Sequence, residues 1–390
     1  MAANAVQIRE EDLQRWKLLP PFVKALQEAL AECGGAGGTW EDSRRQLQLS
    51  EYLSLFLFGL FNPVVKTMRG LCAATAFERV QQEVSGRTVS LGSFSEAQAL
   101  VEPALLEAVF GRLAQQVPPD AEPLAGLTGR ELRVVDSTVW KVLPRMTWAF
   151  WREKGGSRAG PDAAIRLHLH FDLHRQQPHW GEVTPAKVCE RAHWREHAEP
   201  GVVHITDRNY SNNYGQLREM QAAGVDFLAR LAIDTQWVLE SEEPLSPADR
   251  AASVVWAGTV RLGKNGDGPR VRVIDILGEE EHILLVTSLS AEQLPPELAA
   301  TLYRHRWKIE MFFRWLKCIL DCRHWMAESP RGVAIQVYLA LIAALLLVMF
   351  SGKRPNLRQM EAIQFFTLGW ASAEEAAAQV ARYAPKQKKA

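Results

Sequence analysis

An uncharged run of twenty residues, from Gly332 to Ser351, constrains the fold more than any other feature of this chain. A helix of that length and composition either crosses a bilayer or lies inside a large domain. Gln336 interrupts the run, aromatic residues do not mark both of its ends, and the rest of the chain has soluble patterns. We therefore predict a core helix and no membrane association.

The composition is that of an ordinary soluble protein. The chain has 390 residues, of which 47% are hydrophobic and 23% charged, which suggests two or three domains and excludes disordered and fibrous classes. Lys and Arg number 45, as do Asp and Glu, and the formal net charge of +0 excludes a uniformly basic nucleic-acid coat. The N-terminus lacks a secretory signal. Five cysteines without a CxxC pair form neither a disulfide framework nor a zinc ribbon, so we expect a cytoplasmic location.

The first 125 residues have apolar positions at helical spacing. Ser93 and Glu96 form a capping-box pattern that predicts the start of a helix at this point. The sequence therefore predicts an N-terminal α-helical domain over residues 1–125.

The pattern changes to α/β after residue 125. Strand-like segments interleaved with helices over residues 126–234 indicate an α/β sheet. Four strand-like segments fill residues 235–290, and KNGDG between two of them is typical of a hairpin. Residues 291–390 are helical again. We predict a catalytic domain built from 126–234 and 291–390, with a β-rich insertion at 235–290.

Three acidic residues stand at informative positions in this α/β part. Asp136 follows the apolar run LRVV, Asp207 follows VVHIT, and Glu310 lies in a helical stretch. Carboxylates from adjacent strand ends and a packed helix can converge on two divalent cations that clamp a phosphodiester. Oxygen ligands of this kind suit Mg²⁺. Taken singly, each acid is better explained as a solvated charge, so the convergence needs separate support.

The helical stretch YRHRWKIEMFFRWLK supplies that support. Tyr303, Arg306, Glu310 and Lys317 are spaced by 3, 4 and 7, which places them within about a 60° arc of one helix face. An apolar stripe beside this arc would dock the helix on a sheet. A phenol and two cations next to a carboxylate can bind phosphates and stack on bases, so the spacing favours a nucleic-acid active site.

These motifs resemble a known family. Y-x2-R-x3-E-x6-K, at the four residues just named, is the signature of bacterial insertion-sequence DDE transposases of the YREK type, also called the insertion sequence 4 type. The D-[GS]-T-like turn of that family is seen as DST at Asp136, and its D-R-x-Y-like segment as DRNY at Asp207. The resemblance implies an α/β, RNase H-like catalytic domain interrupted by a β-rich insertion.

The resemblance also implies a mechanism. Asp136, Asp207 and Glu310 would be the ligands of two Mg²⁺ ions, for which Mn²⁺ would substitute, with water or a DNA 3′-hydroxyl as nucleophile. The activity would be cleavage at insertion-sequence ends and strand transfer into target DNA. Because no P-loop motif occurs, we expect no use of ATP.

The implied partner is DNA, both the terminal inverted repeats and the target. Tyr303, Arg306 and Lys317 would hold the transposon end, the N-terminal domain would recognise it, and a homodimer would form on paired ends. Some relatives capture a flipped base on a tryptophan. Trp237 and Trp256 are the candidates here, although a core or surface role is the commoner explanation for either.

Two other interpretations stay open. A transposase-derived DNA-binding protein without catalysis would bind the ends and leave them uncut. A membrane-anchored zinc hydrolase would use the 332–351 run and the histidines between 168 and 204, of which His193 and His197 are four residues apart, like zinc ligands on a helix. The absence of an HExxH motif and of a cysteine pair disfavours this second interpretation.

Overall fold

The computed structural model describes residues 19–33, 40, 42, 44–119, 129–152, 162–278, 281–318, 320 and 325–383. The predicted boundary at residues 125–126 lies outside these residues. Two compact units are present. The helical unit is drawn from residues 1–118, 142–148 and 313–390, and the sheet unit from 119–141 and 149–312.

The helices carry the following bounds. They are α1 Leu19–Glu32, α2 Leu49–Phe61, α3 Met68–Ala74, α4 Glu78–Val80, α5 Leu91–Leu100, α6 Pro103–Gln116, α7 Glu190–His197, α8 Arg208–Ser211, α9 Tyr214–Ala222, α10 Pro247–Ala251, α11 Pro296–Arg304, α12 Trp307–Cys318, α13 Pro330–Ser351, α14 Leu357–Thr367 and α15 Ala373–Arg382. A π-helical turn, Gln81–Ser85, follows α4, and a 3₁₀ turn, Thr147–Ala149, precedes the second strand.

Helix α13 forms the centre of the helical unit. The Ser329 side chain accepts the Gly332 N–H at its start, and Gly352, with a φ of 71°, ends it. The segment Pro330–Met349 is long and apolar enough to cross a membrane, but 89% of it is buried among α1, α2, α5 and α6. Even Gln336 is 1% exposed, and it accepts the Met326 N–H. The helix is therefore a buried core helix, as predicted.

The strands form one ten-stranded sheet in the order β2-β3-β1-β5-β6-β10-β9-β8-β7, with β4 paired to β3 beside that path. They are β1 Glu131–Val142, β2 Phe150–Arg152, β3 Asp162–Asp172, β4 Gln177–Pro185, β5 Val202–Thr206, β6 Asp226–Arg230, β7 Trp237–Glu242, β8 Val254–Leu262, β9 Arg270–Leu277 and β10 His282–Thr287.

The arrangement of the first strands establishes the fold class. Strand β5 is parallel to β1, and β6 is parallel to β5. The order β4-β3-β1-β5-β6, with helices after β4 and β5, is that of an RNase H-like domain. The α/β, RNase H-like fold with N-terminal helices is therefore confirmed.

The predicted β-rich insertion contains strands, but they do not form a separate sheet. Strand β10 pairs antiparallel with β6, so β10-β9-β8-β7 continue the central sheet. The predicted hairpin joins β8 and β9. Its glycines have the left-handed backbone that the turn requires, with φ of 92° at Gly263 and 68° at Gly266.

The helical stretch after β10 divides differently from the predicted domain boundaries. The prediction joins residues 291–390 to the catalytic domain, whereas in the structure the chain from Phe313 onward groups with the N-terminal helices. Helix α13 is apolar on all sides, and a helix of that kind needs neighbours all round. The N-terminal helices supply them.

Candidate active site

Two neighbouring parallel strands bring Asp136 and Asp207 to the same level of the sheet. In the register of β1 and β5, Val134 pairs with Ile205. Asp136 lies two residues beyond Val134, and Asp207 lies two residues beyond Ile205. Because side chains alternate along a strand, the two aspartates occupy equivalent positions beyond the pair of Val134 and Ile205.

The environment of Asp136 disfavours its charge. Burial raises the pKa of Asp136 to about 7, and the nearby Asp207 and Glu190 carboxylates add to that effect. The Ser137 N–H donates to Asp136 Oδ1 at 2.7 Å, and together with Arg306 it opposes the rise. Asp136 is therefore a half-buried carboxyl that a bound cation would ionise.

Asp207 also caps a helix. Its side chain accepts the Asn209 N–H at 2.8 Å and so starts α8. Burial raises the pKa of Asp207, and Glu190 adds to this, while the Asn209 N–H and Arg306 lower it. Both aspartates thus resist ionisation mainly because they are buried, and neighbouring carboxylates add to the effect.

Glu310 reaches the site from a helix that is not continuous. The predicted single helix over residues 303–317 is interrupted, since α11 ends at Arg304 and α12 begins at Trp307. The turn between them is tightened, with the His305 N–H donating to Leu302 O and the Arg306 N–H to Tyr303 O. No proline or glycine marks this break.

Packing and charge place the start of α12 beside the aspartates. Phe312 lies 5.8 Å from Phe171 of β3, ring centre to ring centre. The Arg306 guanidinium lies 2.6 Å from Glu310 Oε1 and 3.8 Å from Asp136 Oδ2. One cation therefore bridges two of the three predicted acids.

Tyr303 and Arg306 support each other. The guanidinium carbon lies 5.7 Å from the centre of the Tyr303 ring. Burial raises the pKa of Tyr303, which Arg306 opposes. Burial would lower the pKa of Arg306, but Tyr303, Glu310 and Asp136 raise it overall. The structure thus brings together five of the six predicted residues of the acidic triad and the Tyr-Arg-Lys set.

A family model described as a transposase DDE domain matches residues 127–346, which contain all of these residues. The chain belongs to the DDE transposase family. DNA transposition is the activity of that family, and the prediction of a DDE transposase is confirmed.

This DDE transposase is 28% identical over 263 residues to a Sinorhizobium fredii protein named as transposase y4zB, a match covering 65% of this chain and 69% of the relative. It is 24% identical over 278 residues to the Escherichia coli transposase for insertion sequence element IS421, covering 61% and 71%. Among solved structures it is similar to a piggyBac transposase synaptic complex with hairpin DNA, at a TM-score of 0.42 and 9% identity, covering 87% of this chain and 73% of that chain.

The acids of this DDE transposase fit divalent cations by their chemistry. They offer oxygen ligands from three carboxylates, which is the ligand type of Mg²⁺. Burial, with a smaller contribution from neighbouring carboxylates, raises the pKa of both aspartates, and the Arg306 cation already lies between Asp136 and Glu310. The three carboxylates therefore favour the binding of cations.

Three predicted residues of the transposase remain. Lys317 is half-buried near the end of α12 and belongs to the helical unit. Trp237 and Trp256, on β7 and β8, stack on each other with ring centres 6.1 Å apart and planes 19° apart. Both are partly buried against the core of the sheet unit, and Trp256 Nε1 donates to Glu242 at 3.3 Å.

The sequence prediction missed a fourth carboxylate, Glu190, at the start of α7. It accepts hydrogen bonds from the side chains of Ser137 and Asn209, and it pairs with Arg166 at 2.7 Å. Ser137 and Asn209 belong to the DST and DRNY motifs, so the segments that contain them had already been singled out from the sequence. Nothing in the local pattern distinguishes Glu190 from a surface helix acid.

The histidines gather on one face of the sheet under α7. Ligand atoms of Glu182, His193 and His197 lie within 4.8 Å of one another. The rings of His193 and His197 are, however, stacked 22° from parallel, so their in-plane lone pairs do not meet at one point. His193 Nε2 lies 2.8 Å from Glu182 instead. This geometry favours a hydrogen-bonded stack over the zinc site of the alternative interpretation.

Proposed function

We propose that this transposase cleaves DNA at the ends of an insertion sequence and joins them to target DNA by two-metal phosphodiester chemistry. Asp136, Asp207 and Glu310 would bind two Mg²⁺ ions, with Mn²⁺ able to substitute. The observation that supports this most is the gathering of these acids around one cation, Arg306.

Bound divalent cations would activate the attacking water or 3′-hydroxyl and stabilise the leaving oxygen. The protein contributes the geometry of the ligands. The Ser137 and Asn209 N–H groups orient Asp136 and Asp207, and the Phe312 contact holds the start of α12 against β3.

The transposon end would be held by Tyr303, Arg306 and Lys317, as in the YREK type. Arg306 bridges carboxylates in this structure. Once other cations compensate those carboxylates, its guanidinium would be available for a phosphate. The N-terminal helices would recognise the terminal repeats, a homodimer would pair two ends, and Trp237 or Trp256 would receive a flipped base. These steps would take place in the cytoplasm without ATP.

The test is a cleavage assay with purified protein and a plasmid that carries the DNA flanking its own reading frame. In Mg²⁺ or Mn²⁺, we expect double-strand breaks at the repeat boundaries. Asp136→Asn, Asp207→Asn and Glu310→Gln should each lower the rate by about 1,000-fold or more, with end binding largely kept. Asp234→Asn, at an exposed position, is the matched control.

Each outcome separates the two functions that remain. Cutting that is lost in the triad variants and kept in the control supports the enzyme. Binding of the ends without cutting in either metal supports a transposase-derived DNA-binding protein. Normal cutting by Glu310→Gln would show that the triad is assigned wrongly.

A further inference from the structure

Glu190 joins the two motifs that carry the aspartates, DST within β1 and DRNY at the start of α8. Its Oε2 accepts the hydroxyl of Ser137, the residue after Asp136. Its Oε1 accepts the side-chain amide of Asn209, two residues after Asp207. One carboxylate therefore makes a direct bridge from the β1 motif to the motif after β5.

Ser137 and Asn209 act on their aspartates in the same way. The Ser137 backbone N–H donates to Asp136 at 2.7 Å, and the Asn209 backbone N–H donates to Asp207 at 2.8 Å. In both cases the backbone holds the aspartate while the side chain holds Glu190. The position of Glu190 thus fixes where both donor groups lie, and with them both aspartates.

Glu190 is itself held firmly. Arg166 Nη1 donates to Glu190 Oε2 at 2.7 Å and to Ser137 Oγ at 2.8 Å. Glu190 also lies in the first turn of α7, where the helix dipole favours a negative charge. Further along α7, the fully buried Trp194 donates from Nε1 to His204 Nδ1 at 3.1 Å. The helix therefore cannot shift without breaking buried contacts.

We propose that Glu190 is a positioning residue that sets the separation of Asp136 and Asp207 for metal binding. This inference rests on the proposed function of the two aspartates. The oxygens of Glu190 are occupied by Ser137, Asn209 and Arg166, so it acts through the donors beside the aspartates. Hydrogen-bonding partners behind ligands of this kind are worth about 10- to 100-fold in metal affinity.

The experiment compares Glu190→Gln and Asn209→Ala with wild type at a series of Mg²⁺ concentrations. We expect the half-saturating Mg²⁺ concentration to rise about tenfold or more in each variant, with a smaller fall in the maximal cleavage rate and unchanged end binding. Glu196→Gln, exposed on the same helix, is the matched control and should behave as wild type. Asn209→Ala leaves the Arg166 pair with Glu190 intact, so it covers the case in which Glu190→Gln does not fold.

A double-mutant cycle separates bridging from a general loss of structure. Because both variants break the same bridge, the double variant should raise the half-saturating concentration little beyond the larger single effect. Fully additive effects, or a Mg²⁺ dependence equal to wild type in folded variants, would overturn the inference.

A titration of Mn²⁺ binding by calorimetry keeps this test independent of cleavage. If wild-type protein does not cut DNA, the proposed function fails, but the variants must still weaken Mn²⁺ binding for the positioning role to hold. If wild type cuts and the variants bind Mn²⁺ as tightly, only the role of Glu190 is rejected.

Discussion

Asp136 links the binding of protons to the binding of cations. With its pKa raised to about 7 by burial, it is largely protonated below neutral pH, and a divalent cation must displace that proton. We expect Mn²⁺ affinity, measured by calorimetry, to fall about tenfold for each pH unit below 7.

The Asp136→Asn variant isolates this effect. Its weaker Mn²⁺ affinity should vary less with pH, because Asn does not titrate. The contribution of Asp136 to the free energy of unfolding has the opposite dependence on pH. Its raised pKa stabilises the fold below the unfolded pKa near 3.8, and this stabilisation is lost as pH rises through about 7. A wild-type Mn²⁺ affinity independent of pH between 5 and 7 would rule out proton competition at Asp136.

The positions of single residues were predictable where the local pattern determines them. Asp136 and Asp207 follow apolar runs, so their place at strands followed from the sequence, and the register of β1 and β5 brings them level. The role of Glu190 was not predictable, because its contacts with Ser137 and Asn209 span 53 and 19 residues of chain. Long-range contacts of this kind leave no trace in local periodicity.

Among the elements, strand β8 approaches its neighbour closely at Gly258. A Cβ there would lie 2.7 Å from Ser241 O and 2.7 Å from the Trp256 ring. Gly258→Ala should therefore lower the free energy of unfolding by about 1–3 kcal/mol, measured by urea denaturation, and disturb the stacked pair of Trp237 and Trp256.

The matched control is Gly111→Ala in the middle of α6. Nothing lies within 4 Å of its added Cβ, and alanine favours a helix, so stability should rise by about 0.5–1 kcal/mol. Equal changes in both variants would contradict a steric role for Gly258.

Element boundaries were less predictable than element types. The capping box predicted at Ser93 and Glu96 is wrong, because Ser90 accepts the Ser93 N–H and starts α5. The helix then ends at Leu100, since the residue before Pro103 is driven out of the helical region. Ser, Glu and Gly recur near helix starts, and only the tertiary packing selects among them.

At the scale of the whole molecule, buried imidazoles make stability depend on pH. Burial lowers the pKa of His168 to about 3, and those of His179 and His204 to about 4. These imidazoles bind protons near pH 6.5 in the unfolded chain but not in the folded one, so the stability that they contribute is complete above 6.5 and is lost as pH falls toward 4. We expect each group to remove on the order of 1–2 kcal/mol between pH 7 and pH 5.

Urea denaturation at pH 7 and pH 5 measures this loss. His168→Gln should lose less stability on acidification than wild type, because an amide that can still reach Thr184, the partner of His168, does not titrate. Gly111→Ala should change the free energy of unfolding by the same amount at pH 7 and at pH 5. An equal change in stability between pH 7 and pH 5 in wild type and in His168→Gln would show that burial does not lower the pKa of His168.

The organisation of the chain was only partly predictable at this scale. Strand and helix content in the described parts of residues 129–290 followed from periodicity, and the apolar run at 332–351 predicted a core helix. The packing partners of that helix could not be predicted from the sequence, because a surface that is apolar on all sides shows only that the helix must be surrounded. Which helices fill the positions depends on packing between segments more than 200 residues apart.

The antiparallel pairing of β10 with β6 determines how a deletion variant of this protein would behave. The neighbour of β6 on that side is β10, so removing residues 235–290 would expose a row of unsatisfied backbone donors and acceptors along the free margin of β6. Such a margin recruits strands from other molecules. We expect the shortened chain to associate edge to edge through this strand, since the segment between the second aspartate and the glutamate covers that edge in the intact protein.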